Sequence, residues 1–199
     1  NSTLYVNLEP CNHYGKTPPC TEAIINNNIK KVVIGSQDPN NLVNGSGIAK
    51  LKSNGCNVSV GIMNKECTEL NKRFFTYHNH KRPYIILKWA ESKDRFISPI
   101  KSDETLGKVN WISGEDAKKL SHKWRSEEHS ILVGVQTIID DNPILTTRFV
   151  KGRSPLRFVL DPNLRIPLDS RILSDTVKTI ILSKKENKLI PNYTKKIEF

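Results

Sequence analysis

The sequence lacks several features that would place it in a particular class of protein. No run of roughly 18 apolar residues occurs, so we expect no membrane-spanning segment and no membrane partner. The chain opens on NSTLYVNLEP, which indicates a strand rather than a signal peptide, so a cytoplasmic location is expected. An initiator methionine is also missing, and we therefore expect an internal piece of a longer protein that lacks both ends.

Clustered positive charge is missing as well, although the net charge is +11. The lysine pairs are scattered along the chain, at 30–31, 118–119, 184–185 and 195–196. A nucleic-acid site needs Lys and Arg gathered among aromatic residues, so we expect no nucleic-acid partner. A small anionic substrate, such as a phosphate ester, agrees with this charge balance equally well.

Predicted strands and helices alternate along both halves of the chain, which indicates an α/β fold with parallel sheets. A polar, basic segment at 79–83 is the predicted linker, so residues 1–80 and 81–199 are assigned to separate domains. The first half has predicted strands at 4–8, 31–35 and 57–62, and predicted helices starting at Cys20 and covering 48–55 and 65–78. The second half has predicted strands at 84–90, 130–134, 156–161 and 179–183, and predicted helices at 114–128 and 135–140.

The segment LEPCNHYGKTPPC, at 8–20, is the strongest local signal of chemistry. Cys11 and Cys20 each follow a proline, and Cys20 enters the first turn of a predicted helix, whose N-terminus favours a thiolate. Zinc takes thiolate ligands, and without a secretory signal we favour metal ligands over a disulfide or chance thiols. Cys56 and Cys67 belong to no such motif and are interpreted as part-buried thiols.

A complete zinc site needs more ligands than these two cysteines. Zinc-dependent deaminases combine P-C…C with an upstream H-x-E, whose histidine binds zinc and whose glutamate moves protons. No H-x-E occurs here, since the residues two positions after the histidines are Gly15, His80, Arg82, Trp124 and Ile131. The third ligand and the catalytic glutamate are therefore expected before Asn1. Glu9, at the end of a strand, is interpreted as an acceptor of backbone hydrogen bonds and not as the proton shuttle.

The cysteine segment resembles the pattern LEPC-[SN]-H-x-G-[RK]-T-P-P-C of the bifunctional deaminase/reductase family of riboflavin biosynthesis. The second half resembles the reductase domain of the same family through KWAESKDR, NWIS (a strand in the family) and ILVGVQTIIDDNPILTTR. The resemblance implies a cytidine-deaminase-like three-layer α/β/α domain followed by a dihydrofolate-reductase-like α/β domain, both incomplete.

This resemblance also implies two reactions and two cofactors, zinc and NADPH. The first reaction is the hydrolytic deamination of a pyrimidine ribosylamine 5′-phosphate by zinc hydroxide. The second is the transfer of a hydride from NADPH, which reduces the ribosyl group of the deaminated product to a ribityl group. The expected partners are this phosphorylated pyrimidine and a second copy of the chain in a homo-oligomer.

The resemblance assigns roles to particular residues. In the deaminase half it implies zinc binding by Cys11 and Cys20 and substrate binding by His13 and Lys16. In the reductase half it places Lys88, Arg125, Leu145 and Arg148 on the substrate side. It places Trp111, Thr137 and Asp141 on the cofactor side. The alternatives are solvated side chains for His13, Lys16 and Arg125, and a core aromatic for Trp111.

Three positions depart from the family pattern. Arg95 replaces a glycine that permits unusual backbone angles, Glu91 replaces a small residue beside the cofactor, and Val109 replaces a serine that contacts the substrate. Two other functions compete with the bifunctional enzyme. A single-function zinc deaminase of nucleosides or tRNA would favour P-C-x-x-C spacing, and a non-catalytic zinc-binding module would need a closed four-ligand site; neither signature is present.

Overall fold

The computed structural model describes residues 2–174, 176–184 and 194–196. The chain divides into two compact units, Asn1–Leu87 and Lys88–Phe199, whereas the sequence suggested a boundary between residues 80 and 81. In the described part of the chain, no helix has the length and apolar character needed to cross a membrane. The α/β class with parallel sheets, predicted from the alternation of strands and helices, is confirmed in both units.

The first unit is built on a parallel sheet of three strands in the order β1-β2-β3. The strands contain β-branched residues such as Val6, Val33 and Val58, and Val32 lies in register between Leu4 and Val58. The strands are β1 (Thr3–Leu8), β2 (Lys31–Ser36) and β3 (Asn57–Val60). The helices are α1 (Cys20–Asn26), α2 (Ser46–Ser53), α3 (Asn64–Leu70) and α4 (Lys72–His80).

Helices pack on both faces of this sheet. On one face, Val32 and Ile34 form a buried cluster with Ile24 of α1 and Leu51 of α2. On the other face, α3 approaches so closely that a Cβ atom at Gly35 would lie 2.2 Å from Sγ of Cys67. Only glycine allows this approach, so the residue at 35 fixes how near α3 sits. Cys56 is buried and Cys67 half-buried, and both are free thiols, as predicted.

The second unit contains a parallel sheet in the order β4-β5-β6-β7. Its core joins Ile138 of α6, Val159 of β5, Ile181 of β6, and Ile172, which lies between these two strands in the sequence. The strands are β4 (Ser130–Gly134), β5 (Leu156–Leu160), β6 (Thr179–Ser183) and β7 (Thr194–Lys196). The helices are α5 (Glu115–Glu127), α6 (Val135–Asp141) and a 3₁₀ helix at Arg171–Leu173.

Three local predictions differ from the structure. Residues 84–90 and 110–113 were predicted as strands but form none, and Leu87 (78% exposed) and Trp89 (63%) face solvent. A strand needs a hydrogen-bonding neighbour as well as a suitable local pattern, and neither segment is paired here. The helix predicted over 65–78 is two helices separated at Asn71, whose side-chain amide donates to the carbonyl of Cys67 at 2.8 Å.

Candidate functional site

A buried arginine organises the loops of the second unit. Arg157 in β5 is fully buried, and its guanidinium donates to the carbonyl oxygens of Ile144 (2.8 Å) and Ile172 (2.9 Å) and to Oγ1 of Thr179 (2.9 Å). A buried charge is tolerated when its donors are satisfied in this way. Arg157 therefore holds the segment after α6 and the 3₁₀ helix against the same strand.

The segment after α6 turns sharply twice. Asn142 ends the helix with φ +42°, and Leu145 has φ +59°, both in the left-handed region that is uncommon for side-chain-bearing residues. The side chain of Leu145 is buried in the core of the unit. Oδ1 of Asn142 accepts the backbone N–H of Arg171 at 2.9 Å, which joins this segment to the 3₁₀ helix.

Two arginine side chains converge on Thr146 in this segment. Nη1 of Arg125, from α5, donates to the carbonyl oxygen of Thr146 at 2.7 Å. Nη1 of Arg148 donates to Oγ1 of the same residue at 3.0 Å. Among the residues that the structure describes, neither guanidinium forms an ion pair with a carboxylate. The structure thus brings the side chain of Arg125, from α5, against the segment that carries Leu145 and Arg148, and Arg125 is not a solvated residue of the helix surface.

The electrostatics of this arginine pair favour an anion. Burial, and then the charge of Arg148, lower the pKa of Arg125 below its usual range. Burial, and then the charge of Arg171, lower the pKa of Arg148 in the same direction. Nε of Arg125 is buried with no hydrogen-bond partner among the described residues. Accumulated positive charge with an unused donor is the expected property of a site for a phosphate or carboxylate group.

His122 lies beside the two arginines on α5. It is only 4% exposed, and its Nδ1 accepts the backbone N–H of Arg148 at 2.9 Å. Burial, together with the charges of Arg125 and Arg148, lowers the pKa of His122 to about 4. No sequence motif had indicated His122, Arg157 or Arg171. The only available signal for His122 was its position three residues before Arg125, which puts both on one face of a helix.

The two residues that the family resemblance assigns to the cofactor side, Thr137 and Asp141, are neighbours on α6, as their i, i+4 spacing predicted. Thr137 and Asp141 both belong to the helix Val135–Asp141. Oδ1 of Asp141 pairs with Nζ of Lys101 at 3.3 Å, and the lysine side chain is only 9% exposed. This lysine orients the Asp141 carboxylate, and the remaining oxygen is left to accept other hydrogen bonds.

Lys88 and Trp111 lie elsewhere in the second unit. Lys88 and Glu91 line a cavity of about 400 Å³ against Trp124 of α5. Trp111 is 57% exposed, so its interpretation as a core aromatic is wrong. Nζ of Lys118 lies 4.0 Å from the centre of the Trp111 ring, a cation–π contact that leaves more than half of the Trp111 surface exposed.

The departure at residue 95 has a visible structural consequence. Arg95 has φ +67°, so an arginine occupies the backbone conformation for which the family pattern has glycine. The turn around it is held by hydrogen bonds from the backbone N–H of Ser92 to the carbonyl of Phe96, and from Arg95 N–H to the carbonyl of Ser92, both 2.9 Å. The turn therefore forms with Arg95 in place of glycine.

In the first unit, Cys11 and Cys20 lie next to each other in space. The backbone N–H of Cys20 donates to Sγ of Cys11 at 3.4 Å, and the hydrogen bond to Cys11, followed by burial, raises the pKa of the Cys20 thiol. This direction is opposite to the one predicted from the helix N-terminus alone. His13 and Lys16 are exposed in the loop between the cysteines.

These two thiols meet only part of the requirement for zinc. Within the described ranges, no group of three or more His, Cys, Asp or Glu side chains is arranged to hold a metal ion. Zinc in proteins takes at least three protein ligands, so the described residues do not form a complete zinc site. The neighbouring side chains of Cys11 and Cys20 could supply two of these ligands.

Glu9 acts as a backbone acceptor, which confirms the interpretation from the sequence. Its side chain is 4% exposed. One carboxylate oxygen accepts the N–H groups of Asp38 (3.2 Å) and Gly45 (3.0 Å), and the other accepts those of Gly47 (3.0 Å) and Ile48 (3.1 Å). Glu9 thus closes the loop between β2 and α2 over the end of the sheet.

Comparison with known proteins identifies relatives over nearly the whole chain. The chain is 46% identical over 188 residues to the riboflavin biosynthesis protein RibD of Aquifex aeolicus, covering 94% of the chain and 51% of that protein. It is 42% identical over 172 residues to RibD of Actinobacillus pleuropneumoniae, covering 86% of the chain and 44% of the relative. The chain therefore spans about half the length of the curated relatives that it matches.

Solved structures show the same relationship. The fold is similar to Acinetobacter baumannii RibD, with a TM-score of 0.84 and 32% identity over 98% of the chain and 55% of that protein. It is also similar to a diaminohydroxyphosphoribosylaminopyrimidine deaminase/5-amino-6-(5-phosphoribosylamino)uracil reductase from Thermotoga maritima. There the TM-score is 0.81 and the identity 34%, covering 96% of the chain and 53% of that protein.

The family assignment rests on the second half of the chain in particular. Residues 83–195 match the family described as the RibD C-terminal domain, and this range holds the arginine pair, α6 and the sheet of the second unit. The match covers more than half of the chain, and the relatives extend it over the first unit. The chain belongs to the RibD family of riboflavin biosynthesis proteins, and its second half is the reductase domain of that family.

Proposed function

We propose that the second unit reduces the ribosyl group of a phosphorylated pyrimidine ribosylamine to a ribityl group, with NADPH as the hydride donor. The observation that carries this proposal is the convergence of Arg125 and Arg148 on Thr146 without a carboxylate partner among the described residues. The substrate named for the relative from Thermotoga maritima, 5-amino-6-(5-phosphoribosylamino)uracil, carries the phosphate that such a pair would bind.

The proposed role of the arginine pair is to grip the phosphate and orient the sugar. A guanidinium forms two parallel hydrogen bonds with phosphate oxygens, so two of them fix both position and rotation. Arg171 adds a third positive charge, since it is near enough to lower the pKa of Arg148. Leu145 would support the substrate through the backbone of its left-handed turn, because its side chain is buried. Lys88 would contact the substrate with its ammonium group from the cavity that it lines.

The proposed cofactor side consists of Trp111, Thr137 and Asp141. NADPH, when bound, supplies the hydride and is held without a covalent bond to the protein. The exposed indole face of Trp111 suits stacking on a flat ring, and the hydroxyl of Thr137 and the carboxylate of Asp141 are one helical turn apart. Lys101 holds the Asp141 carboxylate in place for that contact.

We propose a second activity, a zinc-dependent pyrimidine deaminase, for the first unit. The adjacent thiols of Cys11 and Cys20 support it, because they would supply two ligands to one ion. A zinc ion bound there would act as a Lewis acid towards water. His13 and Lys16, exposed between the two cysteines, would contact the phosphorylated substrate. Under this proposal, residues 1–80 belong to a cytidine-deaminase-like three-layer domain, and residues 81–199 to a dihydrofolate-reductase-like domain.

The arginine assignment is tested by replacing Arg148 with Lys in the full chain. Lysine keeps the charge but loses the paired hydrogen bonds to the phosphate. We expect KM for the sugar phosphate to rise roughly 10- to 150-fold, equivalent to about 1.5–3 kcal/mol, and KM for NADPH to stay nearly unchanged. Arg153→Lys, an exposed arginine in the same loop region, is the matched control. A rise in KM for NADPH alone would show that the two sides are assigned in reverse.

A further inference from the structure

His122 and Arg125 both bind the short segment 146–148 to α5, one side chain as an acceptor and the other as a donor of a hydrogen bond. Arg125 donates to the carbonyl oxygen of Thr146 at 2.7 Å, and His122 accepts the backbone N–H of Arg148 at 2.9 Å. The two side chains are three residues apart on α5, so one helix face makes both contacts. The backbone that carries Arg148 is therefore fixed by the same helix that carries Arg125.

We propose that His122 is a positioning residue, which holds Arg148 beside Arg125 so that the pair is already formed before a phosphorylated ligand binds. This inference rests on the proposed function, since it assumes that the arginine pair binds the phosphate of the substrate. His122 does not touch the phosphate in this scheme, and its effect passes through the backbone of Arg148.

The chemical form of His122 follows from its contacts. Nδ1 can accept a hydrogen bond only if it carries no proton, so the ring proton is on Nε2. A second proton is disfavoured because the imidazole is buried and lies near the guanidinium groups of Arg125 and Arg148. The ring of Phe149 packs against the imidazole with centroids 4.6 Å apart, which limits rotation of the ring. His122 is thus fixed in both orientation and protonation.

The need for such a device comes from the repulsion between the two arginines. With no anion bound, two like charges favour separation, and the side chain of Arg148 is exposed and has open solvent to move into. A ligand then has to bring the charges together, which reduces its affinity by the fraction of molecules with the pair formed. The hydrogen bond to His122 raises that fraction.

The test uses the full chain with ribose 5-phosphate as the probe and compares three variants. His122→Leu removes the hydrogen-bond acceptor and puts an apolar side chain in the same buried position. His122→Asn keeps an acceptor, since Oδ1 of asparagine stands where Nδ1 of histidine does. His129→Leu, an exposed histidine outside α5, is the matched control for the loss of a histidine. Titration calorimetry gives Kd for ribose 5-phosphate and for NADPH, and thermal unfolding reports whether each variant is folded.

We expect His122→Leu to weaken binding of ribose 5-phosphate about 3- to 10-fold, the range for one neutral hydrogen bond, with NADPH binding unchanged. His122→Asn should recover most of the affinity, and His129→Leu should match the wild type. A folded His122→Leu variant with wild-type affinity overturns the inference but leaves the proposed function intact. A wild-type chain that binds NADPH but not ribose 5-phosphate overturns both.

A second measurement covers the case in which His122→Leu does not fold. The ¹⁵N resonances of the imidazole of His122 in the wild type distinguish a protonated ring nitrogen from one that accepts a hydrogen bond. We expect Nδ1 to be the unprotonated acceptor at neutral pH, with and without ribose 5-phosphate. A proton on Nδ1 in either state would rule out the hydrogen bond on which the positioning role depends.

Discussion

Replacing Glu9 with Gln should destabilise the first unit far more than its conservative appearance suggests. The carboxylate is 4% exposed and accepts backbone N–H groups from Asp38, Gly45, Gly47 and Ile48, two at each oxygen. Glutamine has one oxygen and one NH₂ group at these positions. Whichever way the amide is oriented, two backbone N–H groups then face a donor that cannot accept their hydrogen bonds.

The size of the effect follows from these four contacts. A hydrogen bond to a charged group contributes about 1.5–3 kcal/mol, so the loss of two lowers the free energy of unfolding by about 3–6 kcal/mol. The whole stability of a domain is about 5–15 kcal/mol, so the variant is expected to be close to unfolding at 37 °C. The disturbance should be largest between β2 and α2, because Glu9 holds that loop through the N–H groups of Gly45 and Gly47.

Amide hydrogen exchange is the appropriate assay, because the chain has two units and need not unfold in a single transition. We expect faster exchange over residues 38–48 and through the first sheet, and unchanged exchange in the second unit. Glu66→Gln, at an exposed position of α3, is the control and should change nothing. Protection within about 1 kcal/mol of the wild type in the Glu9 variant would show that this carboxylate does not hold the loop.

Other predictions concern backbone geometry and pH. Gly47→Ala should lower the urea midpoint of the first unit, since the added Cβ would lie 1.9 Å from the carbonyl oxygen of Pro10. Helix propensity alone predicts the opposite, a stabilisation of about 1 kcal/mol, so a higher midpoint would contradict the steric argument. Arg95→Gly should raise the melting temperature, because Arg95 has φ +67°, a backbone conformation that costs less for glycine. The expected gain in the free energy of unfolding is up to about 1 kcal/mol, and a lower melting temperature would contradict this. The folded pKa of His122, about 4, lies below its ordinary value of 6.5. The stability that neutral His122 provides is therefore complete above pH about 6.5 and lost as the pH falls towards 4, by on the order of 2–3 kcal/mol. The free energy of unfolding of the wild type, relative to that of His122→Asn at the same pH, should therefore fall as the pH is lowered through that window, and a difference that does not change with pH would contradict this.

The parts of the fold that the sequence predicted are those with a strong local pattern. The strands β2 and β4 are short apolar runs bounded by polar residues, and α5 combines acidic residues in its first turn with a long polar surface. The segment 84–90 has an equally apolar pattern but forms no strand. Pairing depends on a second segment that is distant in sequence, and local composition carries no information about it.

The candidate site was predictable only through resemblance to a family. Arg125 and Arg148 are far apart in the sequence and meet because Arg157 and the turn at Leu145 bring the loop back to α5. No spacing rule predicts that contact. His122 is a lone histidine in a polar helix, and its role depends on a backbone N–H of a loop residue. The close contact of Cys11 with Cys20, in contrast, follows from a single strand-loop-helix segment.

The most direct test of the account is whether this chain reduces a sugar phosphate at the expense of NADPH. Purified chain is incubated with 5-amino-6-(5-phosphoribosylamino)uracil and NADPH, and NADPH absorbance and product mass are followed together. We predict NADPH oxidation that depends on the sugar phosphate, yields a ribityl product heavier by a hydride and a proton, and is lost in Arg125→Ala. Binding of both ligands without any reduced product, or equal activity in Arg125→Ala, would contradict the proposed reductase site.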